Sequence, residues 1–442
     1  MKKTAILFMA LTLSMGVFAY SNFDLSYRLS GTAGGMLKDG RVDKWLQGPM
    51  AGGTFAVEFH PTGGLHSLQQ WNNASIGVGT TYMNLGNNEK LGNMVALYGY
   101  LNLPFFSSKH FRIGIRPTVG IAFLDKRYIN TLPEGKEPYS RNDGGFNESN
   151  QNIGSVLNAY LAGELFMDFP IKDGWEIICS GGFYHVSNGS VMAPNGGYNI
   201  FGGELGLRYH PENQTGRFRP RSAVPHRLYD GVDKPWAVEI SMTGSARQVY
   251  YGDNYGGMKF FGVASIKAAA YWVPLSIFRL GAGLDAFYDG YYACVNDEYA
   301  AQNPGATLTY FEKTYLRESN IANCFRLGFS IQPELIIGKL TAGFHVGFYL
   351  YDPVKNLEPY STITDPTNPK YDPNALHPGD EPFNRGLFYA YDYMQSSYKQ
   401  DGWCYMQLVL KYHVLDHLFV QVSMKSHGVR AEFVDAGLGV AF

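Results

Sequence analysis

The chain has 442 residues, with 36 Lys and Arg against 38 Asp and Glu, for a formal net charge of −2. That balance gives no reason to expect nucleic acid as a partner. Beyond the N-terminus no segment holds the ~18 uninterrupted apolar residues that a spanning helix needs. The chain is nonetheless rich in Gly (52), Tyr (32) and Phe (29), which suggests a transmembrane β-barrel.

The first residues form a processing signal. Lys2 and Lys3 precede the apolar run Ala5 to Phe18, and Val17-Phe18-Ala19 offers a cleavage point before Tyr20. Residues 1–19 are therefore expected to be a signal peptide, and residues 20–442 a single barrel domain outside the cytoplasm. Without Lys2 and Lys3 the net charge moves from −2 to about −4.

Further along, apolar and polar residues alternate with the period of a strand. From Phe111 to Phe123 the odd positions read Phe, Ile, Ile, Pro, Val, Ile, Phe, while Arg112 and Arg116 lie among the even ones. One face suits lipid and the other a polar lumen. Segments of this type begin near Phe23, Gly52, Ala74, Met94, Phe111, Val156, Trp175, Ile200, Trp236, Phe260, Ile277, Phe325, Leu340, Trp403, Leu418 and Glu432. The expected fold is an all-β antiparallel barrel of about sixteen strands, with fourteen as the alternative.

The connections alternate in length. Short links at Phe106–Lys109, Ile171–Gly174, Val273–Leu275, near Gly338 and at Val414–His417 suit the periplasmic side. Long ones at Asp125–Ile153, Gly290–Asn323 and Asp352–Gly402 suit the outside. Two links break the pattern, Pro61–Asn73 and the basic, Pro-bearing stretch Pro211–Lys234. Of the four cysteines, Cys294 and Cys324 flank one long loop and are candidates for a disulfide, whereas Cys179 and Cys404 fall inside strands.

The seventh segment carries the candidate chemistry. Its odd row, Trp175, Ile177, Cys179, Gly181, Phe183, His185 and Ser187, is the more apolar, so His185 and Ser187 are expected to face lipid. A serine hydroxyl becomes an effective nucleophile when an imidazole accepts its proton, and a third group can fix the imidazole tautomer. Asn199, which has lipid-facing parity on the next strand, is the candidate for that role. Glu204 has lumenal parity and is expected to pair with Arg208. Backbone N–H groups near Asn188 and Gly189, with the Asn195 amide, are candidate oxyanion donors. An imidazole and a hydroxyl aimed at acyl chains are costly without a purpose. Lys425 and His427, with Lys411 and His413, fall on lumenal rows. No His, Cys and carboxylate cluster has zinc-like spacing, so neither a metal nor a cofactor is expected.

His185-x-Ser187-Asn188-Gly189 followed by Pro194-Asn195-x-Gly197-x-Asn199 resembles the active-site segment of the PagL-like lipid A deacylases, also called acyloxyacyl hydrolases. The resemblance extends to Asn152-Ile-Gly-Ser-Val-Leu-Asn158, to Lys425-Ser-His427-Gly428 and to the closing Gly437-Leu-Gly-Val-Ala-Phe442. It implies that Ser187 and His185 are catalytic, with lipid A of the outer membrane as substrate. A glutamate often stands in that family where this chain has Asn199. Outer-membrane phospholipase A is similar in its His-x-Ser-Asn-Gly and downstream asparagine, but lacks the Pro-Asn-x-Gly element. The expected function is an outer-membrane serine esterase acting on lipid A; the alternatives are a phospholipase A and a porin-like or structural barrel without activity.

Overall fold

A computed structural model of the chain describes residues 23–37, 45–61, 71–72, 74–128, 150, 152–172, 174–192, 195–211, 232–250, 258–293, 321–352, 366–367, 404–427 and 430–442. The signal segment, Cys294 and most of the long loops lie outside the described residues. The described residues form sixteen strands. The first eight are β1 (Phe23–Met36), β2 (Met50–Pro61), β3 (Ser75–Asn84), β4 (Asn93–Ser107), β5 (Arg112–Leu124), β6 (Leu157–Pro170), β7 (Trp175–Ser187) and β8 (Tyr198–Tyr209). The second eight are β9 (Trp236–Tyr250), β10 (Met258–Leu275), β11 (Phe278–Asp289), β12 (Phe325–Ile337), β13 (Leu340–Tyr351), β14 (Cys404–Leu415), β15 (Leu418–His427) and β16 (Arg430–Ala441).

The strand count matches expectation, but the closure does not. β1 pairs with both β2 and β8, so the first eight strands close on themselves. β9 pairs with both β10 and β16, closing a second barrel of eight. The single sixteen-stranded domain over residues 20–442, and its fourteen-stranded alternative, are thus replaced by two eight-stranded barrels in two compact units. The physical reason is that alternation within a strand records which face meets lipid and carries no information on which strand accepts the last row of hydrogen bonds. The connection from β8 to β9 spans Pro211–Lys234, one of the two links that broke the alternation of lengths.

Within each barrel the period-two pattern sorts the side chains as expected. In the first, Ile115, Leu165, Ile177, Leu205 and Leu207 are exposed on the outer wall. Arg28, Glu58, Arg116, Glu164, Asp168, Glu204 and Arg208 are buried inside. Rings gather near the short turns: Phe106 and Phe111 have centroids 5.2 Å apart, and Trp175 and Tyr209 4.7 Å apart. They form part of an aromatic girdle of the kind found at a membrane interface.

Eight strands leave an interior just wide enough to be filled by side chains. Towards the short-turn end of the first barrel, the Arg208 guanidinium lies 2.8 Å from Glu58, 2.9 Å from Asp168 and 2.5 Å from Glu176. Towards the other end, Tyr98, Tyr100, Tyr160 and Tyr184 pack with Met50, Met83, Met94 and Ile200 in an apolar core. The second barrel is filled in the same manner. Lys411 bridges Glu239 and Glu334 at 2.7 Å each, and Lys425 lies among the rings of Phe287, Tyr349, Tyr405 and Phe433.

Candidate active site

β7 and β8 run antiparallel with His185 directly opposite Asn199 and Phe183 opposite Phe201. The turn Ile171–Gly174 feeds the start of β7, so His185 and Ser187 sit at the far end of the strand, on the wall rather than in the lumen. Their neighbours of the opposite parity, Tyr184 and Val186, are buried in the core. Two residues apart on one face is the spacing that brings an imidazole to a hydroxyl.

The side chains meet in a line. His185 Nδ1 lies 2.7 Å from Asn199 Oδ1, and His185 Nε2 lies 2.8 Å from Ser187 Oγ. A side-chain amide oxygen only accepts, so Nδ1 carries the proton and Nε2 is left to accept from the Ser187 hydroxyl. His185 is half-buried and Ser187 is 2 % exposed. The arrangement can pass a proton from the hydroxyl to the ring without moving a heavy atom.

The chain after Ser187 turns sharply. The Asn188 N–H donates to Asn195 Oδ1 at 3.0 Å, which fixes the orientation of the Asn195 amide. Gly189 takes φ +62°, in the left-handed region that glycine enters at little cost. Asn188 and Asn195 are thus drawn together beside Ser187.

Gly197 was not among the expected site residues, yet its backbone lies close beside the pair. A Cβ placed on it would come within 2.9 Å of His185 Cε1 and 3.3 Å of Ser187 Cβ, and its φ is +71°. Its only sequence signal is its place in the Pro-Asn-x-Gly element.

Glu204 is lumenal as expected, but its expected pairing with Arg208 is corrected. Glu204 lies 3.3 Å from Arg28 and accepts from Ser30 and Thr54. Residues four apart on one strand are about 13 Å apart, too far for a contact that a neighbouring strand supplies more easily. Lys425 and His427 are buried in the second barrel, where Lys425 bonds Glu432 and His427 Nε2 lies 2.8 Å from Tyr349 Oη. Lys411 is buried there also, and the His413 ring packs on Phe419. Among the described residues no group of three His, Cys, Asp or Glu side chains is placed to hold a metal ion.

Sequence comparison gives two matches in tandem. The family model for lipid A 3-O-deacylase (PagL) matches residues 53–208, and that for the acyloxyacyl hydrolase C-terminal domain matches residues 236–363. The first match lies within β2 to β8 and contains the His185 segment; the second begins at the first residue of β9. No curated protein sequence matches the chain. Among solved structures, Neisserial surface protein A is 14 % identical over 42 % of this chain and 96 % of its own, with a TM-score of 0.24. The outer-membrane enzyme PagL is 14 % identical over 41 % of this chain and 98 % of its own, with a TM-score of 0.23. The chain belongs to the PagL-like lipid A deacylase, or acyloxyacyl hydrolase, family of the bacterial outer membrane.

Proposed function

We propose that the protein is a serine esterase that removes an ester-linked acyl chain from lipid A, with Ser187 as nucleophile, His185 as base and Asn199 as the group that orients the base. The observation that carries this reading is the line Asn199 Oδ1, His185 and Ser187 Oγ, closed by contacts of 2.7 and 2.8 Å on the lipid-facing row. A buried polar line on the outer wall of a barrel is an unfavourable place for a purely structural contact.

In the reaction, Ser187 Oγ attacks the acyl carbonyl carbon as its proton passes to His185 Nε2. The carbonyl π electrons move to oxygen, and Asn195, whose own oxygen is held by the Asn188 N–H, is oriented to donate to that oxyanion beside the Gly189 backbone. On collapse the bond to the ester's alcohol oxygen breaks, and that oxygen leaves with the proton from Nε2. Water then gives a proton to His185, attacks the acyl-enzyme, and releases the fatty acid as Ser187 recovers its hydrogen. Asn199 accepts the Nδ1–H throughout, which keeps Nε2 available. It supplies orientation without the charge that a carboxylate would bring to the imidazolium.

Short turns belong on the periplasmic side of such barrels, which puts the far end of β7 at the outer leaflet. The substrate then enters sideways from the bilayer. A porin-like role fits poorly with lumens filled by Arg208 and its three carboxylates and by the Lys425 aromatic cage.

The test is mass spectrometry of lipid A and phospholipid exposed to the intact protein beside Ser187→Ala and His185→Ala. The expected result is loss of one acyl chain from lipid A that disappears in both variants. Lysophospholipid with untouched lipid A would instead assign a phospholipase. No change in either lipid would mean a barrel without esterase activity.

A further inference from the structure

Resting on that catalytic reading, we propose that Asn152 is a positioning residue for His185, acting through the backbone of Gly197. The segment Asn152–Asn158 resembles the family sequence but had no chemistry assigned to it. The structure brings its first residue under the catalytic line. The Asn152 carbonyl accepts from the N–H of both Gly196, at 2.9 Å, and Gly197, at 3.1 Å. The Asn152 Nδ2 donates to the Gly197 carbonyl at 3.0 Å. One asparagine therefore holds both peptide planes that flank Gly197.

What Gly197 does in that position follows from which atom it faces. Its backbone approaches His185 Cε1, the carbon between the two ring nitrogens, closely enough that a Cβ would stand 2.9 Å away. Backbone packed beside Cε1 leaves the ring little room to shift out of the position in which it bonds both Asn199 and Ser187. The same neighbour lies 3.3 Å, by the same Cβ measure, from Ser187 Cβ, so base and nucleophile share one support.

The bracket is anchored at both ends. Ile153 is fully buried and forms an isolated β-bridge with Asn195. Tyr198 is also fully buried, and its hydroxyl donates to Asn150 Oδ1 at 2.6 Å. Asn150 Nδ2 in turn donates to the Lys126 carbonyl at 3.0 Å. Ile153 and Tyr198 both belong to the apolar core inside the first barrel. The stiffness of the packed lumen thus reaches the imidazole through Asn152 and Gly197, and the Ile153 bridge carries it to Asn195 as well.

The experiment uses the full chain in detergent micelles with lipid A as substrate, comparing wild type, Asn152→Asp, Gly197→Ala and Ser187→Ala. Asn152→Asp keeps the shape and the main-chain acceptor but replaces the Nδ2 donor by an oxygen facing the Gly197 carbonyl. Folding is followed by heat-modifiable migration, and the His185 ring by nitrogen-15 NMR of labelled histidine, assigned with His185→Ala. The expected result is a folded Asn152→Asp protein with kcat lowered at least about tenfold, KM within about twofold, and ring signals shifted from the Nδ1–H tautomer towards an averaged pattern. Gly197→Ala is expected to disturb the ring signals at least as much. Wild-type kcat and unchanged ring signals in Asn152→Asp, with Ser187→Ala inactive, would overturn the positioning role while leaving the catalytic reading intact. Full activity in Ser187→Ala would remove the catalytic reading. The ring signals then decide the Asn152 contact alone, and no shift in Asn152→Asp would overturn it too.

Discussion

His185 and Asn199 are direct partners across the β7–β8 ladder, with Nδ1 and Oδ1 2.7 Å apart. Two strands of one sheet thus supply the ring and the acceptor of its Nδ1–H. Asn199→Ala is expected to leave the barrel folded and to lower kcat by about 10²-fold, because the ring loses the acceptor that holds its tautomer. Steady-state kinetics on lipid A micelles measures this, and an unaltered kcat would remove Asn199 from the machinery.

Restoring charge at the same place should act in the opposite direction. Asn199→Glu introduces a carboxylate that can stabilise the imidazolium as well as orient the ring. A kcat equal to or above wild type is expected if the longer side chain reaches Nδ1. A rate as low as that of Asn199→Ala would mean that the position accepts only the shorter amide.

The interior of the first barrel should be its most sensitive structural element. Arg208 sits among Glu58, Asp168 and Glu176 with no exposed surface. Arg208→Leu leaves three carboxylates facing one another, and breaking a buried pair by removing one partner typically costs ~3–5 kcal/mol. Urea titrations of the folded protein in detergent should show the midpoint falling accordingly, while the folded variant keeps its kcat. A midpoint within error of wild type would contradict the ionic packing described for this barrel.

Closure of each barrel makes a prediction about parts. Every ladder of β1–β8 is satisfied within residues 23–209, and no edge strand remains open in it. A chain ending before Trp236 is expected to fold into a heat-modifiable barrel by itself. Proteolysis and circular dichroism of residues 20–211 give the answer; an unfolded product would mean that the first closure depends on the second half.

Filled lumens predict electrical silence. Full-length protein in planar bilayers should show no steady conductance above background, because the eight-stranded interiors hold Arg208, Lys411 and Lys425 in fixed contacts. Stable open steps in reconstituted bilayers would refute a packed interior.

Much of this was readable from alternation. Trp175, Trp236, Phe325, Leu340 and Leu418 begin segments in the sequence pattern and lie at or beside strand starts in the structure. The parity that put His185, Ser187 and Asn199 on one face is a local property, so two short stretches of sequence suffice to read it. Closure is not local: β8 bonds to β1, more than 160 residues earlier, and nothing in either strand's pattern names its partner. The same limit hid Asn152, which meets Gly197 across 45 residues, and it misdirected Glu204, whose nearest cation, Arg28, is 176 residues away. The link Pro211–Lys234 was a visible trace of the division, since it is long where the alternation of connections calls for a short turn.

The place of Ser187 on β7 has a kinetic consequence. On the proposed reading, a Ser187 on the lipid-facing row draws its substrate from molecules that diffuse in the plane of the bilayer. The relevant substrate concentration is then a surface mole fraction. Turnover should fall as inert lipid or detergent dilutes the substrate at constant bulk amount, and the composition of the leaflet, rather than the volume of the medium, sets how fast the enzyme works.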